Sequence, residues 1–123
     1  MIKILLVDEQ ASIRRGVRMR LGLESDFSVV GETNDGWEAL VLVRELQPDV
    51  VVTGIRLPQL DGIALTKRLQ QDFPSCAVVI LSLYDDPITQ DLAKKAGAAF
   101  FVSKQKPDGD LVDAIRNAVI KPD

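Results

Sequence analysis

Five short apolar runs alternate along the chain with five segments of helical spacing, and this alternation constrains the fold more than any other feature. The runs are nearly continuous in valine, isoleucine and leucine, as expected of strands that helices cover on both faces. They occupy residues 2–7, 27–32, 50–53, 77–81 and 99–102. Strand–helix alternation repeated five times predicts right-handed crossovers and a parallel sheet, which is a doubly wound α/β fold.

The intervening segments carry apolar residues three or four positions apart, which predicts amphipathic helices. The predicted buried stripes are Ile13, Val17 and Leu21; Leu40, Val43 and Leu46; Ile63, Thr66 and Leu69; Ile88, Leu92 and Ala96; and Leu111, Ile115, Ala118 and Val119. Arg14 falls outside the first stripe, so we expect it at the surface. Asp35-Gly36 is predicted to open the second helix, Gly97 to end the fourth, and Pro107 and Asp108 to open the fifth.

Composition excludes several classes of function. The 123 residues suit one domain, and 46% hydrophobic residues can bury a real core. The net charge of −3 makes binding of nucleic acid or of an anionic membrane by this domain a poor prediction. No apolar run approaches the ~20 residues of a membrane helix. The chain has no histidine, which excludes Ser-His-Asp triads, Cys-His pairs, imidazole metal sites and a histidine phosphocarrier.

The one cysteine, Cys76, cannot form an internal disulfide, which suits a reducing cytoplasm. It lies beside an apolar run, so we interpret it as a small buried hydrophobe rather than a nucleophile.

Polar side chains stand where the predicted strands end. Asp8 and Glu9 follow the first strand, Ser82 the fourth and Lys104 the fifth, whereas Gly54, which has no side chain, follows the third. In doubly wound sheets, function collects at the carboxyl ends of the strands. Paired acids suit a hard divalent cation such as Mg²⁺, and lysine and serine suit the oxygens of a phosphoryl group.

Each of these residues also has an ordinary structural interpretation. Asp8 or Glu9 could cap the first helix, where acids are favoured. Ser82 could be a turn residue, and Lys104 could be a solvated surface lysine. Their shared position at the strand ends is what favours a common site.

Four stretches resemble the receiver domains of response regulators, in order and with near-standard spacing over the whole chain. They are LLVDEQ at 5–10, PDVVVTGIRLPQLDG at 48–62, VILS at 79–82 and AGAAFFVSK at 96–104. The resemblance implies one receiver domain over residues 1–123. It also implies a flavodoxin-like (βα)5 three-layer sandwich whose five parallel strands have the order 2-1-3-4-5.

The resemblance also assigns roles to the residues of the site. Asp8, Glu9 and the main-chain carbonyl of Arg56 match the family's metal ligands. Ser82 and Lys104 match the groups that bind the phosphoryl oxygens. Phe101 matches the aromatic that turns inward when the hydroxyl moves, although a plain core phenylalanine is equally consistent with the sequence.

Gly54 stands where the family carries its phosphate-accepting aspartate. A glycine offers no nucleophile and removes one metal ligand, so we expect no phosphorylation at this position and weak Mg²⁺ binding; no organic cofactor is expected. Three interpretations stay open: a natural pseudo-receiver, a disabled variant, and a glycine needed for a bend where the strand enters the loop.

FSVVGE at 27–32 and DGWEAL at 35–40 resemble receivers that are joined to LuxR-type DNA-binding domains, a weaker match. This implies a cytoplasmic transcription regulator with a C-terminal output domain outside this chain and a sensor histidine kinase as partner. It also allows a homodimer through the fourth helix, fifth strand and fifth helix.

The leading hypothesis is therefore a non-enzymatic signalling module. A phosphorylation-independent dimerisation module is the alternative. A Mg²⁺-dependent phosphotransfer enzyme is disfavoured, because Asp8, Glu9 and Thr53 would be its remaining candidate nucleophiles or bases. A flavodoxin-like FMN site is disfavoured as well, since Asp8 and Glu9 would repel its phosphate.

Overall fold

The computed structural model describes residues 1–104 and 109–120, in which five strands and five helices alternate. The strands are β1 (Ile2–Val7), β2 (Phe27–Thr33), β3 (Val50–Thr53), β4 (Ala77–Ser82) and β5 (Phe100–Ser103). The helices are α1 (Ala11–Leu21), α2 (Gly36–Leu46), α3 (Gly62–Asp72), α4 (Pro87–Ala96) and α5 (Gly109–Ala118). The predicted opening of the fifth helix at Pro107 and Asp108 lies outside the described residues.

The strands form one parallel sheet in the order β2-β1-β3-β4-β5, which confirms the predicted fold class and strand order. The chain winds from β1 outward to β2 and then returns to place β3 on the other side of β1. The carboxyl ends of β1 and β3 are therefore neighbours at the point where the winding reverses, with Val7 beside Thr53. Ligand sites of open α/β sheets lie at such a point.

Side chains of the sheet alternate between two cores, one on each face. On β1, Ile4 and Leu6 pack with residues of α1 and α5, while Leu5 and Val7 pack with residues of α2, α3 and α4. All four are at most 2% exposed. Burial on both faces is why these strands are continuously apolar rather than alternating, and it makes the domain a three-layer sandwich.

Side-chain caps fix the beginnings of three helices. The carboxylates of Asp35, Asp61 and Asp86 accept hydrogen bonds from main-chain N–H groups in the first turns of α2, α3 and α4. Such a cap contributes about 1 kcal/mol of helix stability. Gly97 ends α4 with a left-handed φ of 107°, as predicted.

The predicted buried stripe of the fourth helix is wrong at two of its three positions. Ile88 is 74% exposed and Leu92 51%, whereas Ala93 and Ala96 are buried. Helix α4 packs against α3 and the short edge strand β5, and small residues allow that approach. Strand β5 also begins and ends one residue later than predicted.

The interpretation of Cys76 as a buried residue is confirmed. Cys76 is buried, as predicted, and burial raises the pKa of its thiol to about 12. Of the helices in the described ranges, none has the length and apolar character to cross a membrane.

Candidate functional site

A cavity of about 80 Å³ opens at the carboxyl edge of the sheet. Its lining comes from the ends of β1, β3, β4 and β5 and from the loops that follow them. The lining residues are Asp8, Glu9, Gln10, Gly54, Ile55, Arg56, Leu81, Ser82, Leu83, Tyr84 and Lys104. The fold thus brings together all the predicted site residues except Phe101.

Asp8 is the buried acid of this cavity, with 8% of its surface exposed. Its Oδ1 accepts a hydrogen bond from the main-chain N–H of Gln10 at 2.9 Å, and its Oδ2 accepts one from the Lys104 ammonium at 3.0 Å. Glu9, by contrast, is exposed. Asp8 is not the cap of α1. The N-cap residue of α1 is Gln10, and the side chain of Gln10 makes no capping hydrogen bond.

Lys104 forms part of the site and is not a solvated surface lysine. Its side chain is 16% exposed, and its ammonium forms an ion pair with Asp8 across 96 positions of sequence. The main-chain N–H of Lys104 donates to the carbonyl of Ser82 at 2.9 Å, which fixes where the side chain starts. A partly buried pair of this kind constrains geometry more than an exposed one does.

Gly54 is buried, and its backbone does not require a glycine. Among the described glycines, Gly97 has the left-handed φ and Gly54 does not. A Cβ at position 54 would lie 3.2 Å from Oδ2 of Asp8, a contact that a shift of a few tenths of an ångström would relieve. The bend interpretation of this glycine therefore has no support in the backbone conformation.

The hydroxyl groups near Gly54 are buried and already engaged. Ser82 is 3% exposed, and its Oγ accepts a hydrogen bond from the main-chain N–H of Tyr84 at 2.9 Å. Thr53 is fully buried and donates to the carbonyl of Gly54 at 2.9 Å. Thr53 does not line the cavity, and Ser82 lines it with little exposed surface.

Arg14 supports the site from outside the cavity lining, contrary to the expectation that it lies at the surface. Its guanidinium donates to the main-chain carbonyl of Asp8 and to the carboxylate of Glu32, and its side chain is 16% exposed. Burial alone would raise the pKa of Glu32, but hydrogen bonds from Arg14 and Arg18 outweigh it and hold that pKa below its usual range. The sequence signal was the position of Arg14 beside Ile13, next to the buried stripe.

Tyr84 is the second site residue that the sequence interpretation missed. The guanidinium carbon of Arg56 lies 4.2 Å from the centroid of the Tyr84 ring, a cation–π contact. It joins the loop after β3 to the loop after β4, and both residues line the cavity. An aromatic two positions after Ser82 was the available signal.

Phe101 lies away from the cavity. It is half-buried and packs against the core formed with α2, α3 and α4. Together with Phe100, which is 39% exposed, it lines two surface grooves of about 610 and 270 Å³ beside β5. The switch role of Phe101 stays a prediction.

The donor set at the cavity is a poor one for Mg²⁺ in the arrangement that the structure shows. Within the described ranges, no group of three His, Cys, Asp or Glu residues could hold a metal ion. Both oxygens of Asp8 already accept hydrogen bonds, and Glu9 is exposed. Mg²⁺ is usually held by one or two carboxylates in near-octahedral oxygen geometry. The weak Mg²⁺ site expected from Asp8, Glu9 and the carbonyl of Arg56 stays a prediction.

The doubly wound fold, with an acidic residue, a hydroxyl and a lysine at the carboxyl ends of its strands, has the architecture of a signal-receiving domain. This chain belongs to the response regulator receiver domain family, whose profile matches residues 4–116. Domains of this family typically bind Mg²⁺ at the site of phosphorylation.

The similar proteins are response regulators of two-component systems. The chain is 32% identical over 115 residues to the transcriptional regulatory protein DegU of Brevibacillus brevis, covering 94% of this chain and 49% of that protein. It spans about half the length of the curated relatives that it matches.

Two solved structures show the same fold. The response regulator domain of Thermotoga maritima CheB is 30% identical, with a TM-score of 0.89 and 99% of each chain covered. A LuxR-family response regulator from Aurantimonas sp. SI85-9A1 is 32% identical, with a TM-score of 0.91 and coverage of 95% of this chain and 84% of that one. The chain is thus a signal-receiving domain of the LuxR-family type.

Proposed function

We propose that this domain is a non-enzymatic signalling module that holds its surface state without phosphorylation at position 54. The observation that carries the proposal is that Gly54 lies among the polar residues of the site without a side chain of its own. Lys104 is paired to Asp8 instead of to a residue at position 54. A receiver switches when a new local charge biases a two-state element. Without an acceptor at position 54, that charge cannot be added there.

The neighbouring hydroxyls do not replace the missing aspartate. Thr53 and Ser82 are buried and hydrogen-bonded, and no histidine is present to activate them. An unactivated hydroxyl is a weak nucleophile. These facts support a domain whose output does not follow a phosphodonor.

The expected partners follow from the family. We propose a cytoplasmic two-component protein in which a sensor histidine kinase is the ancestral input and a DNA-binding domain outside this chain is the output. Among the similar structures, RcsB of Salmonella enterica is described bound to promoter DNA. The receiver domain itself, with its net charge of −3, binds no nucleic acid in this proposal.

A phosphorylation-independent dimerisation module is the second candidate, and one observation favours it. Ile88, Leu92 and Phe100 expose apolar surface on α4 and β5, where we proposed a homodimer through α4, β5 and α5. This candidate and the first share the same output surface. Sedimentation that shows a dimer of unchanged strength with and without a phosphodonor would favour it.

The test is a pair of ¹H–¹⁵N spectra of the isotope-labelled domain, recorded with and without acetyl phosphate and Mg²⁺. We expect the amide signals of α4 and β5 to stay in place for the native sequence. The Gly54→Asp variant is the matched positive control, since it supplies the acceptor. Shifts in α4 and β5 of the native sequence on adding the phosphodonor would contradict the proposal.

A further inference from the structure

We infer that the ammonium of Lys104 takes the place of the divalent cation at this site, so that the native domain excludes Mg²⁺ rather than binding it weakly. The observation is that Lys104 lies on the carboxylate oxygen of Asp8 that faces Gly54. The inference concerns the same cavity, but it does not depend on what the domain regulates.

The carboxylate of Asp8 is held in place from several directions. Its two oxygens accept from Gln10 and Lys104, the main-chain N–H of Asp8 donates to the carbonyl of Thr33 at 3.1 Å, and its own carbonyl accepts from Arg14. A metal ion on Oδ2 would lie next to the Lys104 ammonium, which is 3.0 Å from the same oxygen, so the two cations would compete for it.

Gly54 is the reason that Lys104 pairs with Asp8 alone. The Cβ of an aspartate at position 54 would lie 3.2 Å from Oδ2 of Asp8, and the ammonium would then be shared between two acids. Two carboxylates and one ammonium have a net negative charge, which would attract a cation. With glycine, the Asp8–Lys104 pair is neutral as a unit and the exposed Glu9 is the other carboxylate of the cavity, so an incoming Mg²⁺ meets a nearby positive charge and no second buried carboxylate.

The test compares thermal melts of three proteins with and without millimolar Mg²⁺, at ionic strength matched with choline chloride. They are the native sequence, Lys104→Met and the control Lys95→Met. Lys95 also forms a 2.9 Å ion pair, with Asp91, but its side chain is 74% exposed. Removing it tests the loss of a lysine and of an ion pair outside the cavity.

We expect Mg²⁺ to leave the melting temperatures of the native protein and of Lys95→Met unchanged. Lys104→Met leaves Asp8 buried without its cation, so it should be less stable without metal and should gain stability with Mg²⁺. The Mg²⁺ dissociation constant of Lys104→Met should be at least about tenfold lower than that of the native protein. The double variant Asp8→Asn with Lys104→Met should lose the response to Mg²⁺.

Equal Mg²⁺ stabilisation of the native protein and of Lys104→Met would overturn the inference, and so would a Lys104→Met protein that ignores Mg²⁺. If Lys104→Met does not fold, Mn²⁺ added to the native protein decides the question by paramagnetic broadening. No selective broadening of the Asp8 and Glu9 amide signals is expected, and selective broadening would overturn the inference. No phosphodonor takes part, so failure here leaves the proposed function untouched.

Discussion

Replacing Gly54 by aspartate and by asparagine separates charge from shape in the cavity. Both side chains place a Cβ 3.2 Å from Oδ2 of Asp8, so both require the same small adjustment. Both also remove the freedom of glycine from the unfolded chain, which stabilises the folded state by about 0.4–1 kcal/mol where the backbone conformation is compatible. The aspartate adds a negative charge and the asparagine does not.

The expected size of the charge effect follows from the neighbours of position 54. Two unit charges about 5 Å apart interact by roughly 3 kcal/mol at an effective dielectric constant of about 20. The repulsion from Asp8 and the attraction to Lys104 are both of this order and largely cancel. What remains is the repulsion from the exposed Glu9, and we expect the aspartate variant to be about 1 kcal/mol less stable than the asparagine variant at low salt.

Urea unfolding of the three proteins at low ionic strength without Mg²⁺ measures this difference. We expect Gly54→Asp to be no more stable than the native sequence, and the gap to Gly54→Asn to shrink in high salt because screening weakens the repulsion. Millimolar Mg²⁺ should stabilise Gly54→Asp far more than the other two. An aspartate variant more stable than the asparagine variant without metal, or equal stabilisation of all three by Mg²⁺, would refute this reasoning.

Two further changes test the packing away from the cavity. Hydrogen bonds from Arg116 hold the pKa values of Glu24 and Asp26 below their usual range. The contribution of these carboxylates to the free energy of unfolding is therefore present above their pKa in the unfolded chain. It is lost as the pH falls through their pKa in the folded protein. Arg116→Met should therefore be less stable than the native protein near neutral pH, with the gap in urea melts closing in acid; a gap independent of pH would contradict this. Gly62→Ala should cost about 2 kcal/mol or more in the same assay, because its Cβ would fall 1.9 Å from the carbonyl oxygen at position 54. The control Gly16→Ala, whose Cβ meets nothing within 4 Å, should gain about 0.5–1 kcal/mol; equal effects at the two positions would contradict the packing argument.

The sheet was predictable because its strands are buried on both faces. Strands β1 and β3 begin and end at the predicted residues. Their side chains face two cores, so each strand is a continuous apolar run with clear ends in the sequence. The fourth helix was less predictable. Its exposed Ile88 and Leu92 are more hydrophobic than its buried Ala93, so a rule that ranks burial by hydrophobicity chose the wrong face.

The site was predictable in its membership but not in its contacts. Strand ends of a parallel sheet converge, so Asp8, Ser82 and Lys104 could be placed together from their positions in the sequence. That Lys104 would pair with Asp8 depends on the space beside Gly54, which follows from the packing of four strands. Arg14 and Tyr84 were missed because their signals, a helical position beside Ile13 and an aromatic two positions after Ser82, are compatible with many surfaces.

The central claim is that this receiver domain has no phosphoryl acceptor at position 54, and intact-protein mass spectrometry tests it most directly. The native sequence and Gly54→Asp are incubated with acetyl phosphate and Mg²⁺ under identical conditions. The account predicts an unchanged mass for the native sequence and one added, hydroxylamine-labile phosphoryl group on Gly54→Asp. A stoichiometric, hydroxylamine-labile phosphoryl group on the native sequence would contradict it.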